Sequence, residues 1–224
     1  MNLIQEASLM AGKDLRIEAR SRVTIRQIIP FGLITLVLFA FALDPDRGIL
    51  ARVAPGLFWI TILLALLLAI SRAFSIESAN GASDALRLSG LDPSAIFLGK
   101  AAAIAVELAL LEVVLTVGVI VLFNVSVASV GFLILAALVA TIGLASIGTL
   151  YGVLASGLRV RETLVPVLLL PVAAPILLGA TRAWEIGIDG SISDGWPWIG
   201  ILFVSTLLFT AIGMLSFGSL LEES

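Results

Sequence analysis

Six long apolar runs dominate this 224-residue chain, at 27–43, 55–71, 101–123, 130–155, 163–180 and 198–220. A bilayer core about 30 Å thick takes roughly 20 apolar residues per crossing helix. The runs meet or approach that length, so the expected class is an all-α integral membrane protein with six transmembrane helices. Composition agrees. The chain is 60% apolar and 13% charged, with mean hydropathy +1.16, where a soluble domain is about 45–50% apolar and about 25% charged. The net charge of −3 argues against a nucleic-acid binder. The chain has neither cysteine nor histidine. That removes disulfides, thiol catalysis, the commonest general base and the commonest metal or haem ligand.

Lys and Arg in the short flanks set the orientation. The segment before the first run holds Lys13, Arg16, Arg20, Arg22 and Arg26, and the second loop holds Arg72, Arg87 and Lys100. The fourth loop adds Arg159 and Arg161. The opposite compartment receives Arg47, Arg52 and Arg182. Ten basic residues against three place both termini in the cytoplasm. The chain then divides into an N-terminal interfacial segment at 1–26, a six-helix domain at 27–220 with a cytoplasmic loop at 72–100, and a tail at 221–224.

Within the first segment Leu3, Ile4, Ala7, Met10, Ala11 and Leu15 recur at helical spacing, with Asp14 and Glu18 intruding on the apolar face. An amphipathic helix lying in the cytoplasmic interface is expected. Phe58, Trp59, Trp184, Trp196 and Trp198 stand near the outer ends of spans, where such rings usually anchor in the headgroup layer.

No Ser-His-Asp set and no G-x-x-x-x-G-K-[ST] phosphate loop occurs. The chain is therefore expected to be non-catalytic, and any use of ATP needs a partner. Two acids fall inside the third run. Counting about 1.5 Å per residue, Glu107 lies roughly 10 Å and Glu112 roughly 17 Å from Ala101, about 140° apart around the helix. Intramembrane acids face a bundle interior or a wet cavity, so a polar lining and a hydrogen bond to a neighbouring helix are both open. Gly148 and Gly152 let two helices approach closely, with packing inside the chain preferred over a dimer seam. Pro166, Pro171 and Pro175 each remove a helical hydrogen bond, so the fifth span is expected to be kinked or broken. In the second loop Ser83 or Asp84 can cap a short helix carrying Ala85, Leu86 and Leu88, Gly90 can end it, and Pro93 can start the next segment. Such a helix suits either docking on another protein or packing on its own bundle.

The block running from Pro55-Gly-Leu-Phe-Trp to Arg72-Ala-Phe-Ser-Ile-Glu77, continued from Asn80-Gly81 to Gly99-Lys100, resembles the second span and following loop of the haem exporter protein B family. Val165-Pro-Val-Leu-Leu-Leu-Pro171-Val-Ala-Ala-Pro175 is similar to that family's proline-rich fifth span. The likeness covers nearly the whole chain. It departs at Leu88-Ser89-Gly90, where a proline is expected in place of glycine. The resemblance implies an export-type ABC permease in the bacterial inner membrane, working in c-type cytochrome biogenesis. Two permease copies would pair with two ATPase subunits that dock on a loop containing Glu77, Gly81, Asp84, Leu86, Arg87 and Leu88. A haem-handling membrane protein and a periplasmic haem chaperone would be further partners. No cofactor is expected to bind the chain directly: ATP acts through the partner and haem is handled by the complex. Met1, Met10, Met214 and Tyr151 are the only conventional haem-ligand types present. The rival readings are an ABC permease for another cargo, a proton-coupled transporter using Glu107 or Glu112, and a passive assembly scaffold.

Overall fold

A computed structural model of the chain describes residues 2–43, 47–79, 90–125, 127–156, 161–190 and 192–223. The described residues form helices and short connections, with no strand among them. The order is α1 (Leu3–Ser21), a π-helical turn (Thr24–Ile28), α2 (Ile29–Ala42), α3 (Arg47–Ala79), α4 (Pro93–Phe123), α5 (Val130–Ser156), α6 (Arg161–Asp189), a 3-10 turn (Ile192–Gly195) and α7 (Trp196–Glu223). Six stretches are long and apolar enough to cross a membrane, at Thr24–Ala42, Ile49–Phe74, Pro93–Phe123, Val130–Leu154, Pro166–Asp189 and Ile192–Leu221.

The helices overrun the apolar runs from which they grow. At about 1.5 Å per residue, α3 with 33 residues and α4 with 31 are each longer than a bilayer core of about 30 Å. The loop expected at 72–100 is correspondingly shorter. α3 continues to Ala79, and α4 begins at Pro93. The start of α4 is locally encoded. Pro93 has the φ a first helical turn needs, and the Asp92 carboxylate accepts the Ser94 N–H at 2.8 Å.

α3, α4 and α5 form the middle of the bundle. α5 packs on α3, α4, α6 and α7, whereas α2 meets only α3, α4 and the π turn among the described elements. The glycines of α5 mark close crossings. Gly148 sits against Leu66 and Ile70, Gly152 against the Phe74 ring, and Gly143 against Thr206 and Ile176. These partners are all within the chain, as the preferred reading of Gly148 and Gly152 expected. A β-carbon at Gly152 would enter the Phe74 ring. Gly152→Leu is therefore expected to cost roughly 1–3 kcal/mol of packing, read as a lower unfolding temperature of the purified chain. Gly200→Leu, at a site with open space, should melt like wild type.

Three of the five aromatic anchors are not at the lipid surface. Phe58, Trp59 and Trp184 are buried. Phe58 stacks on Trp184 at 4.1 Å, and Trp59 meets the same ring edge-on at 5.9 Å. The reason is position: they lie where α3 and α6 pack on each other, so the rings fill the interface between two helices. Trp196 remains exposed and Trp198 is half-buried. α6 runs as one continuous helix through Pro166, Pro171 and Pro175, so of the two expected forms, kinked or broken, the broken one does not occur. Pro171 and Pro175 are exposed and one turn apart, while Ala173, Ile176 and Ala180 face inward.

α1 is more than an interfacial float. It packs extensively along the start of α4, and Met10 closes on Gly99, whose missing side chain makes the approach possible. The acids that seemed misplaced on its apolar face have partners on that side. Asp14 reaches Lys100 of α4, and Glu18 accepts the Thr24 N–H across the elbow between α1 and the first span. The elbow itself is Arg22, in the left-handed region at φ 54°, with its N–H donating to the Glu18 carbonyl at 2.8 Å.

Candidate functional site

One end of the bundle gathers contacts from α1, α4 and α7 next to the connection between α3 and α4. Glu6 of α1 accepts the Asp92 N–H at 3.0 Å. Ser94 of α4 donates to the Met214 carbonyl of α7 at 3.2 Å, and Pro93 packs beside Gly218. Both ends of the chain therefore meet where α4 begins, which is also where residues 80–89 connect α3 to α4. Of the proposed docking residues, Gly81, Asp84, Leu86, Arg87 and Leu88 lie outside the described residues, and Glu77 lies on α3 with its side chain outside them too. The described rim of this loop is Gly90–Asp92. Gly90 has φ +69°, a conformation open to glycine and closed to proline, whose ring holds φ near −65°. The departure from the expected Leu-Ala/Ser-Pro is thus matched by a backbone that proline could not adopt.

Behind the rim lies a cavity of about 60 Å³ between α1, α3 and α4. Its polar lining is Asp14, Glu18, Arg72, Lys100 and Glu107. Lys100, counted in the sequence as a basic loop residue, is buried at 4% exposure within α4. Its ammonium lies 3.9 Å from the Asp14 carboxylate and 5.0 Å from the centre of the Phe74 ring. Burying an ammonium is tolerable only with such partners. Arg72 donates to Gln27 at 3.2 Å, tying the end of α3 to the elbow that opens the first span.

The two intramembrane acids part company, as their angular separation predicted. Glu107 is half-buried and lines the cavity. Glu112 is buried between α4 and α5 and accepts a hydrogen bond from Thr141. Thr141 also donates to the Ala137 carbonyl at 2.7 Å. Between α5 and α7, Ser146 and Thr210 meet at 3.0 Å, and Thr206 donates to the Val139 carbonyl. Hydroxyls thus join α5 to α4 and to α7. Glu112→Gln keeps an acceptor facing Thr141, and it is expected to leave both folded yield and function within about twofold of wild type, given that one neutral hydrogen bond is worth about 1 kcal/mol. A severe functional loss with normal yield would show that the carboxylate acts chemically.

The chain matches the model of the CcmB protein family over residues 5–221. It belongs to that family. Curated relatives named Heme exporter protein B agree along most of their length. The one from Bradyrhizobium diazoefficiens is 30% identical over 206 residues, covering 92% of each chain. That from Rhodobacter capsulatus is 29% identical over 181 residues, 81% of this chain and 83% of its own. The Escherichia coli K12 protein is 36% identical over a shorter stretch of 87 residues. The family match covers α1 from its third residue as well as all six spans.

Of the conventional haem-ligand types, Met10 is buried against Gly99, Met214 and Tyr151 are half-buried, and Met1 lies outside the described residues. The buried Lys100 was missed as a site residue because its neighbours in sequence, Gly99 and Ala101, carry no polar signal. The clue available was Asp14, an acid on an otherwise apolar helix face, which called for a buried cation.

Proposed function

We propose that this chain is the membrane permease subunit of an ABC transporter acting in haem delivery for c-type cytochrome biogenesis. The observation that carries the reading is the family match over nearly the whole chain, with relatives that bear the name Heme exporter protein B. A partner ATPase hydrolyses ATP, and its movement drives release of the haem-loaded periplasmic chaperone or haem export. The chain sits in the bacterial inner membrane with the end that carries residues 80–89 in the cytoplasm, in keeping with ten of its thirteen basic residues falling on that side. Two permease copies pair with two ATPases.

The route for force follows from the contacts. A push on the loop moves the first turn of α4. α1 is held to the start of α4 by Glu6 at Asp92 and by Met10 and Asp14 at Gly99 and Lys100, about two turns further on, and α1 leads through the elbow into the first span. Displacement at the loop therefore reaches α2 and α4 together.

The test is to tag the full chain and recover it from membranes. An ATPase subunit should copurify. An ATPase variant with its phosphate-loop lysine replaced by alanine should still copurify but should abolish haem attachment to c-type cytochromes. Normal attachment with the inactive ATPase would contradict the transporter reading and favour a passive scaffold.

A further inference from the structure

Part of α1 faces away from the bundle, and its chemistry is unlike the rest of the helix. Leu9, Lys13, Arg16, Ile17 and Arg20 line a shallow cleft of about 250 Å³. Leu9, Lys13, Arg16 and Arg20 lie about 100–160° round the helix from the middle of the face of Met10, Asp14 and Glu18 that meets the bundle, and Ile17 lies at its edge, about 60° away. Neither Arg16 nor Arg20 has a carboxylate partner among the described residues, whereas Asp14 already serves Lys13 at 3.1 Å as well as Lys100. Arg16 and Arg20 are one turn apart, so their guanidinium groups can converge on one anion. Two large apolar side chains share the cleft, Leu9 at 60% and Ile17 at 42% exposure.

Location narrows the occupant. Arg20 is four residues before Thr24, where the first membrane span begins, so at about 1.5 Å per residue Arg20 lies about 6 Å and Arg16 about 12 Å along the chain from that boundary. At that level a bilayer presents phosphate groups above and acyl chains below. A planar guanidinium pairs with a phosphate through two parallel hydrogen bonds. A basic helix face with apolar side chains between its cations is the form in which proteins hold an anionic membrane surface.

We propose that this cleft is a binding site for an anionic phospholipid, with Arg16 and Arg20 holding the headgroup phosphate, Lys13 adding charge, and Leu9 and Ile17 lying against the upper acyl chains. The site is independent of the transport reading, because Arg16 and Arg20 lie on the part of α1 turned away from α4, with Ile17 at the edge where the cleft meets the cavity between α1, α3 and α4. Its consequence is that the helix joining the loop-bearing end to the first span is anchored on two sides, by α4 and by lipid.

The test uses the full chain in detergent, titrated with phosphatidylglycerol or with phosphatidylcholine of the same acyl composition, with bound lipid counted by native mass spectrometry. Phosphatidylglycerol should be retained preferentially, and Arg16→Gln/Arg20→Gln should weaken that retention at least about tenfold. Arg16→Lys/Arg20→Lys should retain most of it, and Arg52→Gln, an exposed cation at the other end of the bundle, should change nothing. The preference of the wild-type chain should also shrink as salt is raised, which tests the proposal without any substitution. Equal retention of the two lipids, or unchanged retention in the double glutamine variant, would overturn it. So would loss of a copurifying acidic protein from that variant with its lipid preference intact, since the face would then belong to a protein partner.

Discussion

Asp14→Ala will loosen α1 from α4 and lower the stability of the folded chain by about 2–3 kcal/mol. The size follows from burial. Removing one member of a buried ion pair typically costs about 3–5 kcal/mol, because the other charge stays in a poorly solvated site. Lys100 is almost fully enclosed, while Asp14 is about one-fifth exposed and 3.9 Å away, which places the effect at the lower end. The second half of the prediction separates this cause from lost packing. Asp14→Ala/Lys100→Met removes both charges and leaves an unbranched apolar chain over the Phe74 ring. It should recover most of the lost stability, since apolar replacement of a buried pair is often neutral. Thermal unfolding of the purified chain measures the first quantity. Limited trypsin cleavage after Lys13, Arg16 and Arg20 measures the release of α1. A single variant as stable as wild type, or a double variant no better than the single, would contradict the role given to the pair.

Leu86→Asp should reduce ATPase copurification at least about tenfold while the chain still inserts and folds. A charge placed on a docking face is desolvated without a partner when the complex forms, at a cost of several kcal/mol. Insertion and folding of the unbound chain are expected to be unaffected by the same change. Leu98→Asp is the comparison. Leu98 packs partly buried against the hydrophobic core at the start of α4, so this change should lower folded yield first and partner binding only as a consequence. Unchanged copurification with Leu86→Asp would remove the docking role from the 80–89 loop.

Sequence and structure agree best where one physical rule acts alone. Bilayer thickness sets the number of spans, and six apolar runs became six crossing helices. Proline geometry and the Asp92 cap set the start of α4. Agreement fails where position in the bundle decides. Trp59 and Trp184 have the composition and spacing of headgroup anchors, but the contact between α3 and α6 turns them inward onto Phe58. Lys100 counts as a loop cation by the positive-inside rule, yet α1 lies beside it and its charge is matched internally. Asp14 and Glu18 looked like defects in an amphipathic pattern. One meets a buried ammonium on a helix distant in sequence, and the other caps the first span six residues on, across the elbow. The three prolines of α6 do not break the segment, which stays one helix from Arg161 to Asp189 despite the backbone bonds that proline cannot make. The angular divergence of Glu107 and Glu112 was legible, since it depends only on helical geometry.

The most direct measurement of the central claim is a haem stain of c-type cytochromes in a strain lacking this gene, with and without a plasmid copy. Haem delivery by this chain predicts loss of every c-type cytochrome on deletion and full recovery with the plasmid. Normal cytochromes in the deletion strain, with no second copy of the gene present, would contradict it.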